Sequence, residues 1–193
     1  MPPPHPSAPR PPADDLPDLA LVARAADGDQ QSYAELMRRH TPRMLALATR
    51  LLGDPVAAED DVQEACLTAW RHLPDFRGEA AFGTWLYRIV TNRCLNTLRA
   101  RRAELPLEAT GEPASPDPAA SPERAAESRA SARDLRAALA TLTPEQRACW
   151  VLRELHGLSY DEIAEVTGTG EPAVRGRIFR ARRQLTEVMA PWR

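Results

Sequence analysis

The 193-residue sequence predicts an all-α protein: two small helical domains joined by a flexible, acidic, Pro/Ala-rich linker. Three observations lead there. Apolar residues recur at the three- and four-residue spacing of a helix that buries one face, and no strand-like alternation of useful length appears. Helix-starting devices recur as well, a small polar residue followed at once by proline, or followed three residues later by Glu or Gln. Between residues 103 and 131 both signals give way to Pro, Ala, Ser and Glu, a composition that buries too little to order itself.

Taken in order, residues 1–17 are dominated by proline and are expected to form a disordered tail. A first helix follows, with Leu19, Val22 and Ala26 sharing a face, then a break at Gly28 and a helix through Tyr33, Leu36 and Met37. Thr41 before Pro42 reads as a new cap with a first-turn proline, so a third helix carrying Met44, Leu45, Ala48 and Leu51 or Leu52 is expected to run to Gly53. Asp54–Pro55 repeats the device and opens a longer helix. Its inner face holds Val62, Cys66, Ala69, Trp70 and Leu73, and its outer face Asp60, Gln63 and Glu64. The loop PDFRGEAAFGT leads into a helix with Trp85, Ile89 and Leu95 in its apolar face, ending in arginines; the first domain spans residues 18–102.

The second domain, 132–193, opens with Leu135, Leu139 and Leu142 on one face. Thr143, Pro144 and Gln146 form a capping box with a first-turn proline, and the helix they start buries Cys149, Val151, Leu152 and Leu155 in some combination before Gly157 ends it. Ser159 and Glu162 form a second capping box, with Leu158 placed to staple onto Ile163. Thr167, Gly168, Thr169 and Gly170 make a turn, and Pro172 falls in the first turn of the last helix. On that helix Val174, Ile178, Ala181 and Leu185 lie within roughly 60° of one another at about 100° per residue, while Arg175, Phe179, Arg180 and Arg183 point elsewhere. Helix, turn and basic helix make a helix-turn-helix in a four-helix domain. Two readings stay open on these residues alone: a DNA-reading helix, or a solvated arginine face on a helical hairpin.

A net charge of −2 argues against a uniformly sticky nucleic-acid binder, but the charges are segregated. Basic clusters lie at Arg99, Arg101 and Arg102 and from Arg175 to Arg183, and acidic ones at Glu59, Asp60, Asp61 and Glu64 and from Glu104 to Glu127. All 25 Lys/Arg positions are arginine, which hints at a GC-rich genome. No apolar run is long enough to span a bilayer and no leader pattern opens the chain, so a cytoplasmic protein without membrane insertion is expected. Cys66, Cys94 and Cys149 stand far apart without metal-ligand spacing and read as buried thiols. His5, His40, His72 and His156 lie near no pattern for a nucleophile, metal or phosphate site, so neither an enzyme nor a cofactor or metal is expected.

Two separated blocks, AEDDVQEACLTAW with FRGEAAFGTWLYRIVTN, and LTPEQRACWVLRELHGLSYDEIAEV with VRGRIFRAR, resemble the extracytoplasmic-function sigma factors, two-domain promoter-recognition subunits of bacterial RNA polymerase. The resemblance runs from about Leu19 to Leu185 and favours the DNA-reading interpretation of the last helix. It implies partners: core RNA polymerase through its β′ and β subunits, promoter DNA and an anti-sigma factor. Asp60, Gln63 and Glu64 match the face that docks on the β′ coiled coil, where carboxylates and an amide offer acceptors to a basic helix. For the minus-ten element it implies Trp85 at the melting edge, Phe76, Arg77 and Phe82 in a loop around an extruded base, Asn92 and Asn96 presenting amides, and Arg88, Arg93 and Arg99 holding phosphates. Core packing of Trp85 and Phe82 is the alternative use of those rings. For the minus-thirty-five element it implies Arg175, Phe179 and Arg180 in the major groove, with Arg177 or Arg183 nearer the backbone. The linker would thread toward the polymerase cleft, its acids Glu104, Glu108, Glu112 and Asp117 mimicking nucleic acid or simply tethering.

The chain departs from the family pattern at a few positions. Gly170, Pro172, Ala173 and Gly176 stand where hydroxyl residues or a Gly-Thr pair are usual, and Asp61 stands at an apolar position, where it would weaken packing or face water. A free-standing helix-turn-helix regulator is the competing class, but it leaves the Asp60–Glu64 face and the Trp85 loop without a purpose.

Overall fold

The computed structural model describes residues 13–104 and 133–189, and every regular element among them is helical. The expected tail as far as Pro12, most of the expected linker and the last four residues lie outside the described residues. A 3₁₀ turn at Ala13–Asp15 precedes α1 (Asp18–Ala26), α2 (Gln30–Leu52) and α3 (Pro55–His72). A second 3₁₀ turn at Leu73–Asp75 leads to α4 (Phe82–Glu104). The second domain holds α5 (residues 133–140), α6 (Pro144–Glu154), α7 (Tyr160–Thr167) and α8 (Glu171–Met189).

In the first domain α2 packs against α1, α3 and α4, and in the second α6 packs against α7 and α8. The two domains also dock on each other, α4 against α7 and α6, and α2 against α6, so the apolar cluster is continuous from Leu21 to Leu185. Arg147 is the keystone of that junction. Its side chain is buried, its Nε donates to the Leu139 carbonyl at 2.8 Å, and one Nη donates across to the carbonyl of Leu51 at 2.5 Å. Leu51 lies in the last turn of α2, where carbonyls lack helical partners. Thr84 of α4 donates to Glu162 of α7 at 3.3 Å, and His156 Nδ1 lies 3.0 Å from the Tyr87 hydroxyl.

Most predicted helix starts hold. Asp54 accepts from the amides of Val56 and Ala57, and both capping boxes, Thr143–Gln146 and Ser159–Glu162, are reciprocal. Gly168 closes α7 with φ +63°, a conformation a Cβ would strain.

Three expectations need correction. No helix begins at Thr41: α2 runs unbroken from Gln30 to Leu52 with Pro42 inside it. Asp29 caps this helix, and Leu36, Met44, Leu47 and Leu51 form one fully buried stripe across the proline. Burial of that stripe outweighs the roughly 3 kcal/mol that an interior proline costs, and Pro42 itself is exposed, so water can reach the Arg38 carbonyl that has lost its donor. In α1 the buried face is Leu21, Val22 and Ala25, while Leu19 is 67% exposed; packing on α2 selects a phase one residue from the expected one. The N-terminal tail is shorter than expected, because Arg39 of α2 donates to the carbonyls of Asp14 and Leu16 and to the Asp18 carboxylate, holding residues 13–18 in place.

Candidate nucleic-acid interface

The outer face of α3 carries Asp60, Gln63 and Glu64, all exposed. Leu67, one turn further along, is 50% exposed and extends this acidic face with an apolar side chain. Sequence reasoning passed over Leu67, although its i+3 and i+4 relation to Glu64 and Gln63 is the signal that marks it. Asp61, on the other side of the helix, does not face water. It is 4% exposed, with Arg93 Nε at 3.0 Å and the Thr97 hydroxyl at 2.9 Å, so the substitution at an apolar position is made good by two partners from α4.

On α4, Trp85, Arg88, Asn92, Asn96 and Arg99 succeed one another at three- and four-residue steps, and all but the half-buried Trp85 are exposed. Arg99 donates to the Asn96 amide oxygen at 2.7 Å. Arg93 lies beside this row but is committed elsewhere, to Asp61 and, at 4.0 Å, to Glu64. At the head of the row, Phe76, Phe82 and Trp85 pack as a triad with ring centroids 5.2 to 5.6 Å apart. Phe82 is the floor of the triad: it is 3% exposed and stands edge-on to His40. The expectation that Phe82 would contact an extruded base is corrected here, since burial leaves its ring no open face. Phe76 and Trp85 line a cleft of about 270 Å³ together with Arg77, Thr84 and Arg88, and one wall is Glu165 and Val166 of α7.

On α8 the buried stripe is Val174, Ile178, Ala181 and Leu185, as the periodicity indicates. Phe179 is 68% exposed, a large ring held in solvent with arginines on either side. The outward arginines are posed rather than loose. Arg175 pairs with Glu171 one turn back and lies 4.3 Å over the Tyr160 ring, whose surroundings also include Arg153 at 4.7 Å. Tyr160 was not singled out from sequence; its place directly after the Ser159 cap is the only local signal. Arg183 pairs with Glu187 at 3.2 Å, and Arg182 with Glu154 at 2.6 Å. Arg177 is half-buried, 3.4 Å from the Thr169 hydroxyl, and so braces the turn from behind. Arg180 folds back over Gly176, where an added Cβ would meet its Nη1 at 3.3 Å. The glycine at that unusual position therefore lets the guanidinium lie flat on the helix.

Between them the two domains offer one acidic face and two basic ones, one beside an aromatic cleft and one on the second helix of a helix-turn-helix. Residues 36–104 match the family model for Sigma-70 region 2, and residues 132–185 the model for Sigma-70, region 4. The chain belongs to the extracytoplasmic-function sigma factors. It is 37% identical over 182 residues to the RNA polymerase sigma-H factor of Pseudomonas aeruginosa, covering 90% of this chain and 94% of that one. It is 34% identical over 189 residues to the ECF RNA polymerase sigma-E factor of Escherichia coli K12, covering 93% and 97%. Among solved structures, CnrH in complex with the cytosolic domain of CnrY superposes with a TM-score of 0.68 at 31% identity, covering 90% of this chain and 97% of that one. The family is not an enzyme family, and no helix among the described residues is long and apolar enough to cross a membrane. A sigma factor, rather than a free-standing regulator, accounts for the presence of the first domain.

Proposed function

We propose that this sigma factor binds core RNA polymerase in the cytoplasm through its β′ and β subunits, recognises a two-part promoter, and opens it with α4. Residues 18–102 form the polymerase-binding and melting unit, residues 132–193 the upstream-reading unit, and 103–131 the tether between them. Asp60, Gln63 and Glu64, with Leu67 beside them, dock on a basic, partly apolar helical partner. Phe76 and Trp85 receive an unstacked base of the minus-ten element, for which an aromatic face is worth about 1–3 kcal/mol. Asn92 and Asn96 offer amides to base edges, and Arg77, Arg88 and Arg99 hold the strand by its phosphates. Arg93 does so only at the expense of its pair with Asp61. In the upstream duplex Phe179 and Arg180 read the major groove, Arg175 leaves Glu171 to join them, and Arg183 and Arg177 serve the backbone and the turn.

The observation that carries this reading is the row from Trp85 to Arg99, an aromatic edge continuing into amides and guanidiniums along a single exposed face. Because α7 walls the aromatic cleft, the domains separate when the promoter is engaged. An anti-sigma factor is the natural antagonist; a relative, CnrH, is known in complex with CnrY. Run-off transcription by core polymerase on a promoter library, with and without this chain, tests the proposal. Transcripts that start at a shared two-part sequence only when the chain is present are expected, and transcription unaltered by the chain rejects it. Arg180→Ala is expected to lower promoter-specific transcription about tenfold or more while polymerase binding stays intact.

A further inference from the structure

Three helices converge on Tyr160. It opens α7 directly after Ser159, where the two reciprocal bonds of the Ser159–Glu162 capping box, 2.8 and 3.2 Å, fix the start of the helix. Its ring is half-buried against the apolar cluster, and its hydroxyl has no hydrogen-bond partner among the described residues. Packing therefore sets the place of the ring. Two guanidiniums lie over it: that of Arg153 from α6, with Cζ 4.7 Å from the ring centre, and that of Arg175 from α8, with Cζ at 4.3 Å. Arg153 is further fixed by donating to the Leu158 carbonyl at 2.7 Å.

Arg175 is held twice, by this ring and by the Glu171 carboxylate, to which its Nε donates at 2.7 Å. The two holds respond differently to DNA. The pair with Glu171 is open to solvent and screened by salt, and phosphates drawn to α8 repel its carboxylate. Tyr160 carries no charge for phosphates to repel, and its ring face attracts a cation through its quadrupole. When Arg175 leaves Glu171 for a base edge, the ring is the hold that stays. Arginine reads guanine with a planar, bidentate fork, and binding is weakened by every rotamer the side chain must give up to reach it. A guanidinium already laid on a ring has fewer to give up.

We propose that Tyr160 is a positioning residue for the minus-thirty-five element: its ring, braced by Arg153 from α6, presets the Arg175 guanidinium for the major groove. Base choice at the position Arg175 reads then depends on the ring face and not on the hydroxyl. The inference rests on the promoter reading proposed above and adds to it a residue outside the recognition helix.

The test uses holoenzyme assembled from core polymerase and the full chain, on a promoter selected in the run-off experiment and on its single-base-pair variants across the upstream element. With Tyr160→Leu, discrimination is expected to fall about threefold or more at the base pair that Arg175→Gln also flattens, and to hold at the others. Tyr160→Phe keeps the ring face and is expected to match the unsubstituted protein, and Tyr160→Leu should add nothing to Arg175→Gln. An unchanged profile, a uniform loss at every base pair, an equal defect in Tyr160→Phe, or additive losses in the double variant overturns the inference. Should Tyr160→Leu unfold, the side-chain proton resonances of Arg153 and Arg175 in the unsubstituted chain decide. Ring current from Tyr160 is expected to move both upfield, and ordinary positions overturn the contact. A holoenzyme that ignores the upstream sequence even with the unsubstituted chain overturns the promoter reading and this inference with it, whereas a selective holoenzyme indifferent to Tyr160→Leu overturns this inference alone.

Discussion

Phe82 and Trp85 stand three residues apart on α4 and illustrate how burial divides similar rings between two jobs. Phe82, 3% exposed, holds the loop to the helix bundle; Trp85 keeps an edge in the cleft. Phe82→Ala is expected to destabilise the fold by about 3–5 kcal/mol in a denaturant titration. Trp85→Ala should leave the fold largely intact and slow promoter opening about tenfold or more. Asp61 makes a similar contrast with its neighbours. Removing its carboxylate in Asp61→Ala strands the Thr97 hydroxyl but not Arg93, which is half-exposed and can turn to water. The expected loss, read by the same titration, is therefore about 1–3 kcal/mol, nearer a lost hydrogen bond than a broken buried ion pair. The exposed residues at Asp60, Gln63, Glu64, Arg88, Asn92, Asn96, Arg99, Phe179 and Arg180 were legible from helical phase. Core packing of Phe82 was one of two uses left open for its ring, and the burial of Asp61 was not foreseen, because both depend on partners more than thirty residues away, His40 for one and Arg93 with Thr97 for the other.

At the scale of the element, local chemistry identified most helix starts and one false one. Asp54, Thr143 and Ser159 cap where expected because each has its own acceptor within reach of the next turn's amides. Thr41–Pro42 carries the same local signal, yet α2 passes through it, since a buried stripe on both sides holds the helix together. Pro42→Ala restores a donor to the Arg38 carbonyl and is expected to raise stability by up to about 3 kcal/mol, read as a higher denaturant midpoint with an unchanged slope. For α8, periodicity correctly separated the packed stripe from the arginine face. It could not show that Arg177 turns inward to Thr169, or that Arg175 rests on Tyr160.

At the scale of the whole molecule, the feature absent from the sequence reading is the docking of one domain on the other. Its contacts join residues 69 to 96 positions apart, a separation that leaves no trace in local periodicity. The junction is also sensitive to acid. Burial, then the nearby charges of Arg50 and Arg43, pushes the His156 imidazole down to about 4. Below its ordinary value of 6.5 the unfolded chain takes up the proton first, so stability is lost as pH falls from about 6.5 toward 4. Glu35, held at about 2 chiefly by its hydrogen bond from Arg38, adds a second loss as pH falls from about 4.5 toward 2. Thermal melts across this range should show both declines, and His156→Gln should flatten the upper one while sparing the lower.

The central claim is that α4 opens promoter DNA for core polymerase. Permanganate footprinting of a promoter selected in the run-off experiment measures it directly, since it modifies thymines only where they are unpaired. With core polymerase and this chain, reactive thymines are expected in the minus-ten segment, and Trp85→Ala should suppress them while polymerase binding persists. A minus-ten segment that stays unreactive with the unsubstituted protein, or equal reactivity with Trp85→Ala, would contradict the account.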